Sequence, residues 1–268
     1  MPAELDPLAG QPADEAIPRL MEEHGGLLYA LGRRFCGDED EARDLVQDVL
    51  LLAWKNWDQF DGRSQAKTWL YTIAARACQR RHRRRAGEPE HMASLEELLP
   101  GPAGHAPDLR ARGDDAFDEQ VRRETREAVE RGISRLPFDF RIALVLKDIV
   151  ELPVAEIAAI LDVKPATVKT RVHRARLLLR KELCDRFSDC PSPAPGQPAQ
   201  VCFDLLRAKL DALDRGVDFE VADPDLCDRC SVVFHQLDLT KDACSEIFRG
   251  PVPESVAASV REAVARSS

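Results

Sequence analysis

The 268-residue chain lacks several features that would indicate particular classes of protein. It has no run of about 18 apolar residues, so we expect no membrane insertion. Its first residues have neither a basic start nor an apolar stretch, which predicts no secretory signal and a cytoplasmic location. Aromatic residues make up only 6%, which suits helices better than a sandwich or barrel. The apolar residues recur at helical spacing, which predicts an all-α protein.

Motifs for enzyme chemistry are also absent from the sequence. We find no paired carboxylates, no nucleophile elbow, no glycine-rich phosphate loop and no cysteine in a recognisable histidine-paired context. These arrangements supply the acids, bases and nucleophiles of most active sites. The sequence therefore predicts a protein that is not an enzyme.

The net charge of −9 conceals a strong asymmetry along the chain. Residues 61–86 hold eight Lys/Arg and one acid, and residues 163–186 hold eight Lys/Arg and two acids. Residues 197–268 hold thirteen acids and eight Lys/Arg. Two separate basic segments in an acidic chain favour two local contacts with DNA. The alternative is that each is the solvated face of an ordinary helix.

Proline and glycine divide the chain into segments. They are concentrated in residues 87–114 and 187–199, which we interpret as linkers because no apolar period survives there. The remaining segments are 16–86, 115–186 and a cysteine-rich C-terminal segment, 200–268. We expect each of the three to form a small helical domain.

A helix-turn-helix pattern lies in the second segment. A short amphipathic helix over 156–161 is followed by a three-residue turn, and Pro165 stands where a second helix would begin. In this motif the second helix enters the major groove of DNA. An ordinary helical hairpin is the alternative. The side chains left able to point outward, towards DNA, are Thr167, Lys169, Thr170, Arg171, His173 and Arg174.

Aromatic side chains stand just before the arginines of the first basic segment, from Trp54 to Tyr71. Aromatics interleaved with cations are typical of surfaces that bind unstacked single-stranded bases. The alternative is a helical core with a basic flank, in which Trp69 would be a core residue.

Two parts of the chain, separated by the predicted linker 87–114, resemble two regions of one protein family. Residues 40–60 (DEARDLVQDVLLLAWKNWDQF) and 68–85 (TWLYTIAARACQRRHRRR) resemble region 2 of extracytoplasmic-function (ECF) sigma factors of the sigma-70 family. Residues 136–183 resemble region 4. The resemblance implies that 16–86 binds core RNA polymerase and the −10 element, and that 115–186 binds the −35 element. The implied partners are the clamp and flap of polymerase, double- and single-stranded promoter DNA, and an anti-sigma factor.

The resemblance also implies site residues. Polymerase would be bound by Asp44, Leu45, Gln47 and Asp48. The −10 element would be bound by Trp69, Arg76, Arg80, Arg81 and Arg83. The −35 element would be bound by Thr167, Lys169, Arg171, His173 and Arg174. The family usually has Asn and Asp where this chain has Arg76 and Arg80, so affinity for phosphates would rise and base selectivity would differ. The alternative from another class is a stand-alone helix-turn-helix regulator, which would have no use for region 2.

Six of the eight cysteines follow residue 183, which in a reducing compartment indicates metal or redox chemistry. This tail resembles zinc-binding anti-sigma domains and the CorE-like metal-responsive subgroup of these sigma factors. Asp223 stands where the anti-sigma pattern has His. By resemblance the bound metal is zinc, copper or cadmium, since thiolates are soft ligands. The implied ligands are Cys202, Asp223, Cys227, Cys230 and Cys244.

Several roles for the tail stay open from sequence alone. It is a metal-sensing switch, a permanent structural zinc site, a thiol redox switch or a docking module for a separate anti-sigma protein. An acidic tail folded over a basic segment would mask the surface that binds DNA or polymerase. Metal binding would then either release the tail or tighten it.

Overall fold

The structure is a computed structural model that describes residues 6–36, 39–85, 115–186, 196–219, 221, 226–246 and 254–267. Within these ranges the chain forms ten α-helices and no strand, which confirms the all-α prediction. The predicted linker 87–114 lies outside the described residues, as does most of 187–199. No helix in the described ranges is long and apolar enough to cross a membrane. The helices are α1 (Ala13–Cys36), α2 (Glu39–Lys55), α3 (Ala66–Arg85), α4 (Asp115–Arg135), α5 (Phe138–Leu144), α6 (Val154–Leu161), α7 (Pro165–Arg186), α8 (Ala199–Arg215), α9 (Asp228–Glu246) and α10 (Glu254–Ser267).

The chain forms two compact units that do not follow the predicted segments. The first comprises Met1–Pro89, Ala155–Val163 and Phe248–Ser268, and the second comprises Glu90–Val154 and Lys164–Ile247. The C-terminal segment is thus divided, because α10 packs on α1 and α2 whereas α8 and α9 belong with α4, α5 and α7. The segment boundaries stay predictions as functional divisions.

The first unit is built around the close pair α1 and α2. A Cβ atom at Gly32 would stand 3.1 Å from the backbone Cα of Ala42, so glycine permits this approach. The contact buries Leu28 of α1 and Val46 of α2 completely or nearly so. α10 adds its buried Val260 to this unit. The acidic side chains in the first turn of α2 stabilise that helix, because negative charge is favourable at the positive end of its dipole.

The second unit joins the C-terminal helices α8 and α9 to α7. Leucines of α8 at positions 206, 210 and 213 recur at helical spacing and are all buried. They share one apolar cluster with Leu177 of α7 and with Val233 and Phe234 of α9. Lys209 of α8 is also buried, and its Nζ donates to Asp238 of α9 at 2.7 Å. The C-terminal cysteine segment therefore shares a core with the helix that sequence analysis assigned to DNA.

The turn and the start of the second helix confirm the helix-turn-helix prediction, while α6 begins at Val154, two residues before its predicted start. α6 ends at Leu161 and α7 begins at Pro165, with a three-residue turn between them. Asp162 adopts the left-handed conformation with φ 56°, which Asp tolerates better than most residues. The amide of Val163 donates to the carbonyl of Ala158 at 3.0 Å, which closes the end of α6.

Candidate promoter-binding surface and cysteine cluster

Three cationic or ionisable side chains line one face of α7 and contact α8. Lys169, His173 and Arg176 are spaced by four and three residues, so they lie above one another on the helix. Lys169 Nζ donates to Asp211 at 3.1 Å, and His173 Nε2 donates to Asp214 at 2.9 Å. Arg176 Nη1 donates to the other oxygen of Asp214 at 2.7 Å. The acidic face of α8 thus matches the basic face of α7, residue by residue.

Arg176 is the centre of a buried charge network. Its side chain is 2% exposed, and its Nε and Nη2 donate to both oxygens of Asp148 at 2.9 and 2.6 Å. Burial alone would lower the pKa of Arg176, but Asp148 and Asp214 raise it above its usual value. Burial would likewise raise the pKa of Asp214, yet His173 and Arg176 outweigh it and hold that pKa low. Asp211 and Asp214 are each ion-paired with a cation of α7, which argues against a metal site at His173, Asp211 and Asp214.

The remaining residues predicted to bind the −35 element are only partly available. Thr167 and Arg174 are half-buried, and Arg171 donates to Asp139 at 2.6 Å with 19% of its side chain exposed. His173 is 8% exposed, so the prediction that it faces DNA is wrong for this conformation, because α8 covers it. The sequence pattern identified the helix correctly but could not show that another part of the chain lies on it.

The residues predicted to bind polymerase divide into two kinds. Asp44 and Asp48 are exposed and Gln47 is half-buried, so these three remain available on α2. Leu45 is only 2% exposed, so its predicted contact with polymerase is wrong, because its side chain is part of the core. Asp48 accepts a hydrogen bond from Arg81 of α3 at 2.5 Å, which joins the two predicted surfaces.

The predicted −10 surface lies on α3. Arg76 and Arg80 are exposed, while Arg81 also donates to the carbonyl of Glu41 at 3.2 Å. The side chain of Arg83 lies outside the described residues. The same helix thus carries two exposed cations on the surface expected to contact the DNA strand.

Trp69 belongs to an aromatic cluster at the start of α3. It is half-buried, and its ring centroid lies 5.6 Å from those of both Trp57 and Phe60. The contact with Trp57 is edge-on and the contact with Phe60 is tilted, and aromatic pairs at this distance stabilise packing. Trp69 therefore packs in this cluster with part of its ring accessible, and its contact with the −10 element stays a prediction.

Three of the predicted metal ligands come together. The Sγ atoms of Cys202, Cys227 and Cys230 all lie within 4.8 Å of one another. Cys202 lies in the first turn of α8, Cys227 just before α9, and Cys230 in the first turn of α9. A Cβ atom at Gly196 would stand 2.9 Å from Cys227 Cβ, so glycine also allows the chain to pass close to this cluster.

The environment of the cluster distinguishes its thiols. Burial would raise the pKa of Cys227, but hydrogen bonds from the backbone of Cys230 and Gly196 lower it overall. Burial raises the pKa of Cys230 to about 12, and its neighbours Cys227 and Cys202 add to the rise. Three adjacent sulfurs without a cation disfavour ionisation of all three together, and a bound metal cation would reverse this balance.

The other predicted ligands are not in this cluster. Cys244 is buried near the end of α9, about 21 Å along the helix axis from Cys230, so its assignment to the same ion is wrong. Asp223 lies outside the described residues. Sequence analysis singled out neither Asp211 nor Asp214, although their spacing of three residues on an amphipathic helix was a usable signal.

Comparisons with known proteins support the two sequence resemblances. The family model described as Sigma-70 region 2 matches residues 20–88, and that described as Sigma-70, region 4 matches residues 126–179. The chain is 33% identical over 173 residues to the ECF RNA polymerase sigma factor SigW of Bacillus subtilis, covering 64% of this chain and 90% of that protein. It is 31% identical over 168 residues to SigM of Mycobacterium tuberculosis, covering 63% and 77% respectively.

Solved structures give weaker similarity. The sigma factor RpoE in complex with the anti-sigma factor NepR, from Bartonella quintana, matches with a TM-score of 0.41 and 26% identity. That match covers 59% of this chain and 89% of RpoE. CnrH in complex with the cytosolic domain of CnrY matches with a TM-score of 0.45 and 26% identity, covering 66% and 94%.

The chain belongs to the ECF sigma factors of the sigma-70 family. It is a transcription initiation factor that binds core RNA polymerase and promoter DNA. Both family models end by residue 179, so neither covers the cysteine cluster. The role of α8, α9 and their cysteines must therefore be argued from their own chemistry.

Proposed function

We propose that this ECF sigma factor is controlled by a soft metal ion bound at Cys202, Cys227 and Cys230. The single observation that carries the proposal is the convergence of the three Sγ atoms within 4.8 Å. Zinc, cadmium and copper(I) favour such thiolate sets, whereas magnesium and calcium favour oxygen ligands. A bound ion would supply the positive charge that three adjacent thiolates require.

The donor set fits this group of metals in number and in position. Structural zinc takes four ligands, and three are present among the residues that the structure describes. Asp223 remains the fourth ligand expected from the sequence. Cys230 lies in the first turn of α9, where the helix dipole also favours a thiolate. The ion would join the start of α8 to the start of α9.

Metal titration of the reduced, metal-stripped full chain tests the proposal directly. Cadmium should bind with one-to-one stoichiometry and give ultraviolet thiolate-to-cadmium charge transfer. Cys227→Ala should abolish this stoichiometric signal. Cys244→Ala removes another buried cysteine of the second unit and should retain it. The absence of a stoichiometric signal in the unsubstituted chain would refute the metal site.

Contacts with polymerase and the −10 element form the second part of the proposal. We propose that the exposed Asp44 and Asp48 of α2 bind the polymerase clamp, and that Arg76 and Arg80 of α3 hold the −10 strand through its phosphates. Co-elution with core polymerase tests the first contact. An Asp44→Lys variant that co-elutes as well as the unsubstituted chain would contradict it.

A further inference from the structure

We propose that α8 is a built-in inhibitor of promoter binding. In this inference Asp211 and Asp214 form ion pairs with side chains of α7 that would otherwise be available to −35 DNA. The inference rests on the assignment of α7 as the DNA-reading helix, but it does not depend on the metal site. The structure described here is then a closed form of region 4.

Charge complementarity is the first argument for this inference. Asp211 contacts Lys169, and Asp214 contacts both His173 and Arg176. Lysine in a DNA-reading helix holds phosphate oxygens, and a carboxylate oxygen 3.1 Å from Lys169 Nζ satisfies the same cation. DNA and α8 therefore compete for one face of α7.

Apolar burial is the second argument, because ion pairs alone would make a weak contact. Leu177 lies one residue beyond Arg176 on α7 and is fully buried. It belongs to the cluster that contains Leu206, Leu210 and Leu213 of α8. The acids and the leucines of α8 thus dock together, so α8 is positioned on α7 by a shared core and not only by surface charge.

The two aspartates of α8 differ in how far they contribute to the fold, so one of them can be used to test inhibition without unfolding the chain. Asp214 is buried with Arg176, so replacing it would affect the fold as well as the DNA surface. The pair of Asp211 and Lys169 is different, since their side chains remain 40% and 47% exposed. An exposed ion pair contributes little to stability. Changing Asp211 therefore alters the competition while leaving the core intact.

The test measures binding of the full, reduced chain to a fluorescent duplex that spans the −35 region upstream of its own gene. Asp211→Asn should raise affinity by about 3-fold to 5-fold, the order expected when one exposed pair is lost. Asp204→Asn is the matched control, because it removes the same charge from the exposed face of the same helix. It should leave affinity unchanged, and Asp211→Glu should retain the low affinity.

Equal affinities of the unsubstituted chain and Asp211→Asn would overturn the inference. So would an equal gain from Asp204→Asn, because the effect would then be one of net charge and not of the contact. Circular dichroism should show unchanged helix content in both variants, which excludes unfolding as the cause. Failure here appears in DNA affinity, whereas failure of the metal site appears in the cadmium titration, so the two are distinguishable.

Discussion

Replacing Asp148 with asparagine should destabilise the second unit strongly. Asp148 accepts two hydrogen bonds from Arg176, and the two side chains are 3% and 2% exposed. Each hydrogen bond to a buried charged group contributes about 1.5–3 kcal/mol. Breaking a buried ion pair on one side costs about 3–5 kcal/mol. Because the amide oxygen still accepts one bond and Asp214 remains, we expect a loss of about 3 kcal/mol in the free energy of unfolding.

A matched control exists on α5, the helix that precedes Asp148. Asp139 also pairs with an arginine of α7, Arg171, but the Asp139 side chain is 55% exposed. Asp139→Asn should therefore cost no more than about 1 kcal/mol. Comparing the two variants separates the effect of burial from that of losing one aspartate that pairs with α7.

Urea denaturation can follow the two compact units with different probes. All three tryptophans lie between residues 54 and 69, in the first unit, so their fluorescence reports on that unit. Far-UV circular dichroism reports on the helices of both units. The Asp148 variant should shift the part of the dichroism transition that tryptophan fluorescence does not follow. Losses below about 1 kcal/mol for both variants would refute the reasoning from burial.

Three further predictions concern packing, pH and the polymerase surface. Gly32→Ala should destabilise the first unit by about 1–3 kcal/mol, because the added Cβ would meet the backbone of Ala42. Tryptophan fluorescence in urea measures this loss. An unchanged urea midpoint would contradict the close approach of α1 to α2. The pKa of Asp214 is lower in the folded chain than its value of about 4 in the unfolded chain, so the ionised carboxylate stabilises the fold above that pH. This stabilisation is lost as pH falls through the folded pKa, and the acid denaturation of Asp214→Asn should lack the corresponding loss of stability. Identical stability-against-pH profiles for the two chains would refute the prediction. Leu45→Ala should lower the free energy of unfolding by about 2–5 kcal/mol, because Leu45 is a core residue. Asp44→Lys should weaken co-elution with polymerase and leave stability unchanged. A stable Leu45→Ala variant, or an Asp44→Lys variant that loses stability but not co-elution, would contradict these roles.

Helix positions followed from sequence because local signals determine them. Pro165, the short turn before it and the apolar spacing of α6 all agree on one motif, and the structure has the predicted turn, the predicted end of α6 and the predicted start of α7. The resemblance to regions 2 and 4 extended this local agreement to function. Cys227 and Cys230 lie together because a Cys-x2-Cys pair at a helix start is a local feature, whereas Cys202 joins them only through the packing of α8 against α9.

Long-range packing was not predictable from the same signals. Leu45 occupies a helix whose exposed and buried faces depend on what packs against it, and α10 comes from a distant part of the chain. His173 was expected to face DNA because no local pattern reveals that α8 covers it. Cys244 has the right chemistry for a ligand but lies along a continuous helix from Cys230, and helix geometry carries it away.

One cysteine of the cluster and the acid that contacts α7 lie on the same helix, α8. In this conformation Cys202 at the start of α8 is already beside Cys227 and Cys230, while Asp211 further along contacts Lys169. A ligand stabilises the state that it binds best. Metal should therefore favour the closed form, and its removal should favour promoter binding.

The most direct test of metal control is run-off transcription from the promoter upstream of this protein's own gene. The reaction contains core RNA polymerase and the reduced, metal-stripped full chain, with zinc, cadmium or copper(I) added one at a time. We expect transcription without metal, a decrease with at least one of the three ions, and no response in the Cys227→Ala variant. Equal transcription in the presence and absence of every metal would contradict the account, even if the protein initiates efficiently.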